Sequence, residues 1–360
     1  MVVSCCSLSL AACGVIADAG SGSSASPTKG DDITVGLLLP DRDTARYARF
    51  DYPIMKKEVA SLTNGRGKLV YLNAEASIPK QSRQFQQLID QKVDVVVVDA
   101  IDSTAIASEV KKSKAAGIPV IAYDRLAEGP IDAYVSHDNE LVGEVQGRTL
   151  LEALGSKAAS SKIIMMNGDP ADPNAGRFKA GALSELNGKV NILKEYDTDK
   201  WSPDVAKANM KKAIQTYGLS NIAAVYSAND GIAGAAVDAL KAAGATKIPP
   251  LTGQDANLDA VQRIVAGTQY MTVYKPFADE AEAAAKMAVA KVKGHSIEFD
   301  ALTSDRVNSP TNKKIPAMLV AVVSVTKDNI KDTLIEDDVY TVDQICTPAY
   351  AADCAAIGLK

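Results

Sequence analysis

Residues 93–123 read VDVVVVDAIDSTAIASEVKKSKAAGIPVIAY. The run Val95 to Val98 is β-branched and unbroken by charge, as in a strand covered on both faces. Ser103 and Thr104 offer a helix start, and a helix runs from there to Ala115-Ala116-Gly117, glycine being a usual residue just past a helix end. Ile118 to Tyr123 is a second apolar run. The stretch is thus one strand, helix, strand unit, and such units build parallel sheets with helices on their faces.

The same plan returns about half a chain later. From Ile222 come the strand AAVYS, a polar cap at Asn229-Asp230, a helix to Ala242-Ala243-Gly244 and a strand reaching Gln254-Asp255. Further strands are expected over Ile33 to Leu39, Ile163 to Met166 and Met318 to Val325, with a helix from Lys327. The fold class expected is α/β, with two doubly wound parallel-sheet lobes joined by a hinge of several strands. The chain should cross between them near Tyr134 to Asn139 and return later. The expected boundaries are 31–136 plus 274–301 for the N-terminal lobe, 137–273 plus 302–345 for the C-terminal lobe, and 346–360 for a tail.

The 360 residues, 47% hydrophobic and 23% charged, are enough for two cores. A formal charge of −5 and a pI near 5.3, with no Lys/Arg-dense run, argue against a nucleic-acid surface and against a strongly anionic substrate. A neutral ligand suits that balance. After the N-terminus no apolar stretch reaches the ~18 residues of a membrane-spanning helix.

The first 13 residues, MVVSCCSLSLAAC, are small and apolar and end in Leu10-Ala11-Ala12-Cys13 before Gly14. This ending resembles a lipobox, which implies lipidation of Cys13 and loss of Cys5 and Cys6 with a signal peptide. No Lys or Arg precedes Cys13, a departure from that pattern, and an irregular tail with chance cysteines is the competing reading. Residues 14–30 have the Gly/Ser/Ala composition of a flexible tether. Together they imply an extracytoplasmic domain, anchored by lipid to the outer face of the membrane or free in the periplasm. In that compartment Cys346 and Cys354, flanking TPAYAAD, suit a small disulfide-closed loop, although two free thiols would look the same in sequence.

In open α/β sheets ligands lie beyond the carboxyl ends of the strands, and here those positions are polar. The first strand is followed by Pro40-Asp41-Arg42-Asp43-Thr44-Ala45-Arg46-Tyr47, and the strand ending at Tyr123 by Asp124-Arg125. The strand ending at Met166 is followed by NGDPADPNAG, with Asp169, Asp172 and Asn174; Asn229-Asp230 and Gln254-Asp255 follow two others. Side chains of Asp, Asn and Arg present paired atoms in a fork that matches adjacent hydroxyls of a sugar ring. The ring's C–H faces need an aromatic partner: Tyr47 stands among these residues, and the sole tryptophan, Trp201, follows Asp197-Thr198-Asp199-Lys200 in a loop. Taken singly each has a plainer role, as helix caps (Ser103, Asn229, Asp230), ion pairs (Arg46, Arg125) or cover for an apolar patch (Trp201). Their coincidence at five strand ends carries the ligand-site reading.

Several words are more specific: AYDR (122–125), HDNELVGE (137–144), GDPADPNAGRF (168–178), SAND (227–230), GQDANLDAVQRIVAGTQ (253–269) and MTVYKP (271–276). With these, the chain from about Asp31 to Asp337 resembles the type I periplasmic binding proteins of the ribose/galactose/xylose kind, the last two words leaning towards the xylose branch. The resemblance implies an interlobe cleft in which Arg46, Arg125, Asp172, Asn174, Asn229, Asp255 and Lys275 bind pyranose hydroxyls, with Tyr47 and Trp201 flanking the ring. It implies delivery of a monosaccharide, D-xylose first and glucose or galactose as the alternative, to an ABC permease by a monomer that closes around its ligand. It implies neither an enzyme nor a cofactor. Tyr47 stands where the family commonly has tryptophan, and Pro173 where it has a polar residue, which leaves the preferred sugar open.

The rivals come from other classes. A sugar-sensing transcription regulator shares the fold but needs a helix-turn-helix where this chain has a lipobox-like run and a tether. A receptor-linked sensor is a further possibility of the same kind. Asp169 and Asp172 could be imagined as a glycosidase pair, but sugar clefts hold carboxylates without hydrolysis. His137 and His295, the only histidines, are far apart with no companion cysteine, and DTDKWSPD (197–204) lacks the ligand spacing of a calcium loop, so no metal is expected. His137 reads as a residue of the interlobe crossing.

Overall fold

The computed structural model describes residues 29–360 apart from 43 and 45, so Cys13, the expected signal segment and nearly all of the expected tether lie outside the described residues. In chain order come β1 (Thr34–Leu39), β2 (Lys68–Asn73), β3 (Val95–Val98), β4 (Val120–Tyr123) and β5 (Ala133–His137). The middle of the chain gives β6 (Lys162–Met166), β7 (Asn191–Tyr196) and β8 (Ala224–Ser227). Last come β9 (Thr272–Tyr274), β10 (Asp305–Val307), β11 (Ile315–Val320) and β12 (Val323–Val325). They assemble into a seven-stranded sheet of order β10-β11-β5-β4-β3-β1-β2, a three-stranded sheet β7-β6-β8 and a two-stranded ribbon β12-β9. Every pair in the large sheet is parallel except β10 with β11, and the β7-β6-β8 sheet is parallel throughout.

The valine run explains the large sheet. Val95 and Val97 enter one core with Leu37, Met55 and Met287, whereas Val96 and Val98 enter another with Leu38, Phe85 and Val110. All four are fully buried, each a gain of about 1.5–3 kcal/mol over exposure. The core on the first face is closed by helix Phe277–Lys293, whose Ala281, Ala284, Ala285 and Ala288 let it lie close to the strands. The helix expected from Ser103 begins at Ala107 instead. Asp102 Oδ1 takes the amides of Thr104 and Ala105 at 2.9 Å each, and Ser103 Oγ donates to Leu126 O, so the intervening residues form turns.

The second body is built on β6 to β8 and its own core of Ile163, Ile164, Met166, Leu186, Met210, Val225 and Leu240. Helices Asn139–Leu154 and Pro173–Leu186 touch there backbone to backbone: a Cβ on Gly143 would stand 2.0 Å from Phe178 O, and one on Gly181 2.0 Å from Glu140 O. The strand expected to reach Asp255 is reduced to one bridge, Leu251 with Val225. Asp255 and Ala256 have φ of 95° and 49°, a region no β-strand uses.

The chain passes between the bodies at the end of β5, between β9 and helix Phe277–Lys293, and between β11 and β12. The last passage corrects the expected placement of 302–345 in the second lobe. Strands β10 and β11 extend the large sheet, Ala317 to Val320 pairing with Tyr134 to His137, which spares β5 an unpaired edge. The strand expected over Met318 to Val325 is interrupted at Ala321 and Val322, its two parts lying in different sheets, and the helix expected from Lys327 is a short π-helical turn at Lys331–Ile335.

The C-terminal tail folds back on the second body. Tyr340, Ile345, Cys354 and Leu359 pack with Val261, Ile264, Val265, Ile330 and Leu334, and Cys346 is disulfide-bonded to Cys354. Closing so short a loop stabilises the folded chain by about 2–3 kcal/mol. Replacing both cysteines by serine should therefore lower the urea unfolding midpoint with little change of slope; an unchanged midpoint would mean that burial of the tail, and not the cross-link, holds it.

Candidate functional site

Strand ends of both bodies face one another across a cleft. Past β1, Asp41 Oδ1 accepts from Thr44 N at 2.8 Å and turns the chain into Arg46 and the π-helical segment Tyr47–Asp51. Past β4, Asp124 takes φ of 56°, a conformation that disfavours residues other than glycine. Its carbonyl accepts from Tyr134 Oη at 2.8 Å, Ser136 Oγ at 2.7 Å and Asn174 Nδ2 at 3.2 Å, and these donors hold the strained turn that aims Asp124 and Arg125 into the cleft.

From the second body, Asp172 caps helix Pro173–Leu186, Oδ1 taking Asn174 N at 2.8 Å. Its Oδ2 meets Arg125 Nε at 2.8 Å and Trp201 Nε1 at 3.1 Å, so one carboxylate joins the first body, its own helix and the tryptophan. Asn174 Oδ1 accepts from Asn139 at 2.9 Å, which fixes its amide to point at Asp124. Trp201 has φ of 55°, and its indole lies on Gly168, where a Cβ would stand 2.1 Å from the ring. Asn229 caps the helix Asp230–Ala242 through Ile232 N at 2.9 Å and still borders the cleft. Lys275, just past β9, stands 2.8 Å from Asp255 Oδ1.

All nine residues expected from the sequence, Arg46, Tyr47, Arg125, Asp172, Asn174, Trp201, Asn229, Asp255 and Lys275, line a single cavity of about 40 Å³. Thr44, Asp124, Phe178 and Gln254 complete its wall. Three of these had a signal, being neighbours of the expected residues in the strand-end loops; Phe178 follows Asn174 by one helical turn and so shares its face. Asp169 stays out of the wall, its Oδ1 occupied by Ala171 N at 3.0 Å. Asp230 turns inward, bonded to Asn257 N, Thr272 Oγ1 and Gln269 Nε2 at 2.8–2.9 Å, and burial pushes its carboxyl up to about 8, with Asp255 pushing the same way. A mouth of about 280 Å³ opens past Asp41, Lys200, Trp201 and Asn257, and a side cavity of about 550 Å³ shares Arg46, Asp255 and Lys275.

The electrostatics are balanced. Arg46, Arg125 and Lys275 face Asp124, Asp172 and Asp255. Burial opposes ionisation of Asp124, yet Arg46, Lys275 and Arg125 hold its carboxyl below the ordinary range. Arg46 is largely spent on the hinge: Nη2 bonds Asp51 at 2.7 Å and also Glu280, and the guanidinium lies 4.0 Å over Phe277. Its Nη1 makes no hydrogen bond within the protein, and the same is true of Gln254 Oε1. A buried donor from one body and a buried acceptor from the other thus border the same cavity, and buried polar groups seek partners. His137, edge-on to Phe277 and 3.6 Å from Glu280, is held neutral by burial and by the nearby Lys275 and Arg46. Among the described residues no group of three or more His, Cys, Asp or Glu side chains is placed to hold a metal ion. The arrangement can grip a neutral polyhydroxylated molecule from two sides.

Residues 35–296 match the family model described as a periplasmic binding protein domain. The chain is 34% identical over 312 residues to the D-xylose-binding periplasmic protein of Escherichia coli (strain K12), covering 85% of this chain and 90% of that protein. It is 32% identical over 336 residues to the multiple sugar-binding periplasmic receptor ChvE of Rhizobium radiobacter, covering 88% and 93%. A solved ABC transporter solute binding protein from Clostridium phytofermentans, with bound β-D-glucose, superposes with a TM-score of 0.78 at 27% identity, covering 87% and 99%.

Glu280 sets a pH dependence. Burial raises its carboxyl from 4.5 to about 8 against the pull of Arg46, with Asp124 and Asp51 pushing further upward. A carboxyl that keeps its proton to higher pH when folded contributes stability that is complete below 4.5 and is lost as pH rises towards about 8. Measured against a Glu280→Gln variant, the melting temperature of the unaltered chain should fall between pH 5 and pH 8; parallel profiles would mean that Glu280 is ionised beside Arg46.

Proposed function

The chain belongs to the periplasmic binding protein family, and from that premise we propose that it captures a monosaccharide, D-xylose first, in the interlobe cleft and delivers it to an ABC permease. The carrying observation is the pair of buried groups on opposite walls that make no hydrogen bond within the protein, Arg46 Nη1, which lies 3.5 Å from Asp124 Oδ2, and Gln254 Oε1. A sugar hydroxyl accepts from one and a second donates to the other, so a bound pyranose ties the two bodies together. Ligand then favours the closed form by its differential affinity for it, and closure is what a permease can read.

Trp201 and Tyr47 supply the flat surfaces for the C–H faces, while Arg125, Asp124, Asp172, Asn174, Asn229, Asp255 and Lys275 present forked or charged partners. Every acid among them already faces a cation, so a neutral ligand leaves no uncompensated charge. The xylose preference is supported by the relatives named for that sugar. A hexose is the second reading, favoured by the glucose-bound solute binding protein of similar fold. The reading includes a monomer acting outside the cytoplasm, with Cys13 as its lipid anchor, and two lobes moving about the three chain crossings.

Tryptophan fluorescence of the purified domain, titrated with D-xylose, D-glucose, D-galactose and D-ribose, tests the reading, since the sole tryptophan lines the cavity. Xylose should saturate at the lowest concentration, and Asp255→Asn should weaken it by about tenfold or more through loss of a charge-assisted acceptor. Saturation by glucose first would select the hexose reading. No response to any of the four, confirmed by calorimetry, would remove the sugar class.

A further inference from the structure

Arg49 follows Tyr47 on the first body, is exposed, and does not border the sugar cavity. It nevertheless reaches the second body. Its Nη2 donates to Val339 O at 2.9 Å. Its guanidinium lies 4.7 Å from the Phe50 ring and 4.4 Å from the Tyr340 ring, so it is held between one aromatic from each body. Tyr340 is itself buried, and its hydroxyl donates to Ala256 O at 2.9 Å. Ala256 and Asp255 are the two consecutive residues with left-handed backbone, φ of 49° and 95°, that carry the Asp255 carboxylate to Lys275.

The contacts therefore run without a break from the first body, through Arg49 and Tyr340, to the strained turn that presents a sugar ligand. Tyr340 is seated by the C-terminal tail, packed with Ile345, Cys354 and Leu359 behind the Cys346–Cys354 bridge. Resting on the sugar reading above, we propose that Arg49 and Tyr340 are positioning residues: an interlobe latch, closed only when the bodies are together, that braces Asp255 and slows release of the sugar. Neither residue lines the sugar cavity, and both line the side cavity that shares Arg46, Asp255 and Lys275 with it. Because an opened cleft separates Arg49 from Val339 and Tyr340, the latch acts on the closed state and leaves encounter with the sugar unchanged.

Stopped-flow fluorescence with D-xylose on the full chain, the Arg49→Ala variant and the Arg49→Lys variant tests this. Loss of the cation–π and hydrogen-bond contacts should speed release by about five- to tenfold with association nearly unchanged. Lysine keeps the charge but not the planar stack, so it should recover only part of the effect. The melting temperature of the sugar-free Arg49→Ala chain should stay close to that of the unaltered one, which separates a latch from a fold defect. Solution scattering without sugar gives an independent readout: Arg49→Ala should be the more expanded. If the unaltered chain binds xylose and Arg49→Ala releases it at the same rate, the latch is overturned and the sugar reading stands. If the unaltered chain binds none of the sugars, the sugar reading falls; equal scattering of the two sugar-free chains would then overturn the latch as well.

Discussion

Two guanidinium groups, on Arg46 and Arg125, sit at strand ends with almost no access to water. A charge buried there is tolerable only when carboxylates stand close to it, because desolvation alone costs several kcal/mol per ion. The carboxylates come from across the fold, Asp51 from the segment after β1 and Asp172 from the opposite body, while Glu280, from the helix after the second crossing, accepts from Arg46 with its own charge suppressed by burial. Much of the site follows from this demand. Asp172 must be at the start of its helix to reach Arg125, Trp201 then hydrogen-bonds the same oxygen, and Gly168 must lack a side chain so that the indole can lie flat against the chain.

The same demand explains why the cleft suits an uncharged ligand although it is dense with charge. Its cations and acids are mutually compensated before anything binds. What remains are directional groups, Arg46 Nη1 and Gln254 Oε1, that ask for hydroxyls rather than for a counter-ion. Glu280 and His137, at the hinge, add no charge to the cleft: burial keeps the acid protonated to higher pH and the imidazole neutral.

Much of this was readable from the chain. The valine run declared a strand buried on both faces, and the residues beyond strand ends were polar at each place where the two sheets meet. What could not be read was long-range allegiance. The apolar pattern of Ile315 to Val320 states that the segment is buried but not which sheet receives it, and the answer depends on β5 lacking a neighbour. Likewise Arg46 was legible as a cleft residue, but beside the nearby Asp51 its other acid partner, Glu280, is 234 positions away, and no local pattern links them. Lys275 follows a strand of three residues with no local signal, and only the family resemblance pointed to it. The positive φ at Asp124 and Asp255 is set by tertiary contacts, on a residue type that tolerates it better than most but does not announce it in sequence.

The insertion of β11 between β10 and β5 has a consequence for how the molecule is made. The sheet of the second body is contiguous in sequence, β6 to β8 lying within residues 162–227, although β9, β12 and the C-terminal tail join that body only later. The large sheet cannot be completed until residues 315–320 return to Tyr134–His137. Until then β5 presents a bare edge of buried-type residues, Ala133, Tyr134 and Val135, which is the sort of surface on which chains aggregate. The non-local closure is also intrinsically slow. A chain emerging from the ribosome or a translocation pore therefore has every reason to remain unfolded in its first half until nearly its last residues are synthesised, and a truncation before Ile315 removes the final piece of the sheet that the rest of the fold was waiting for.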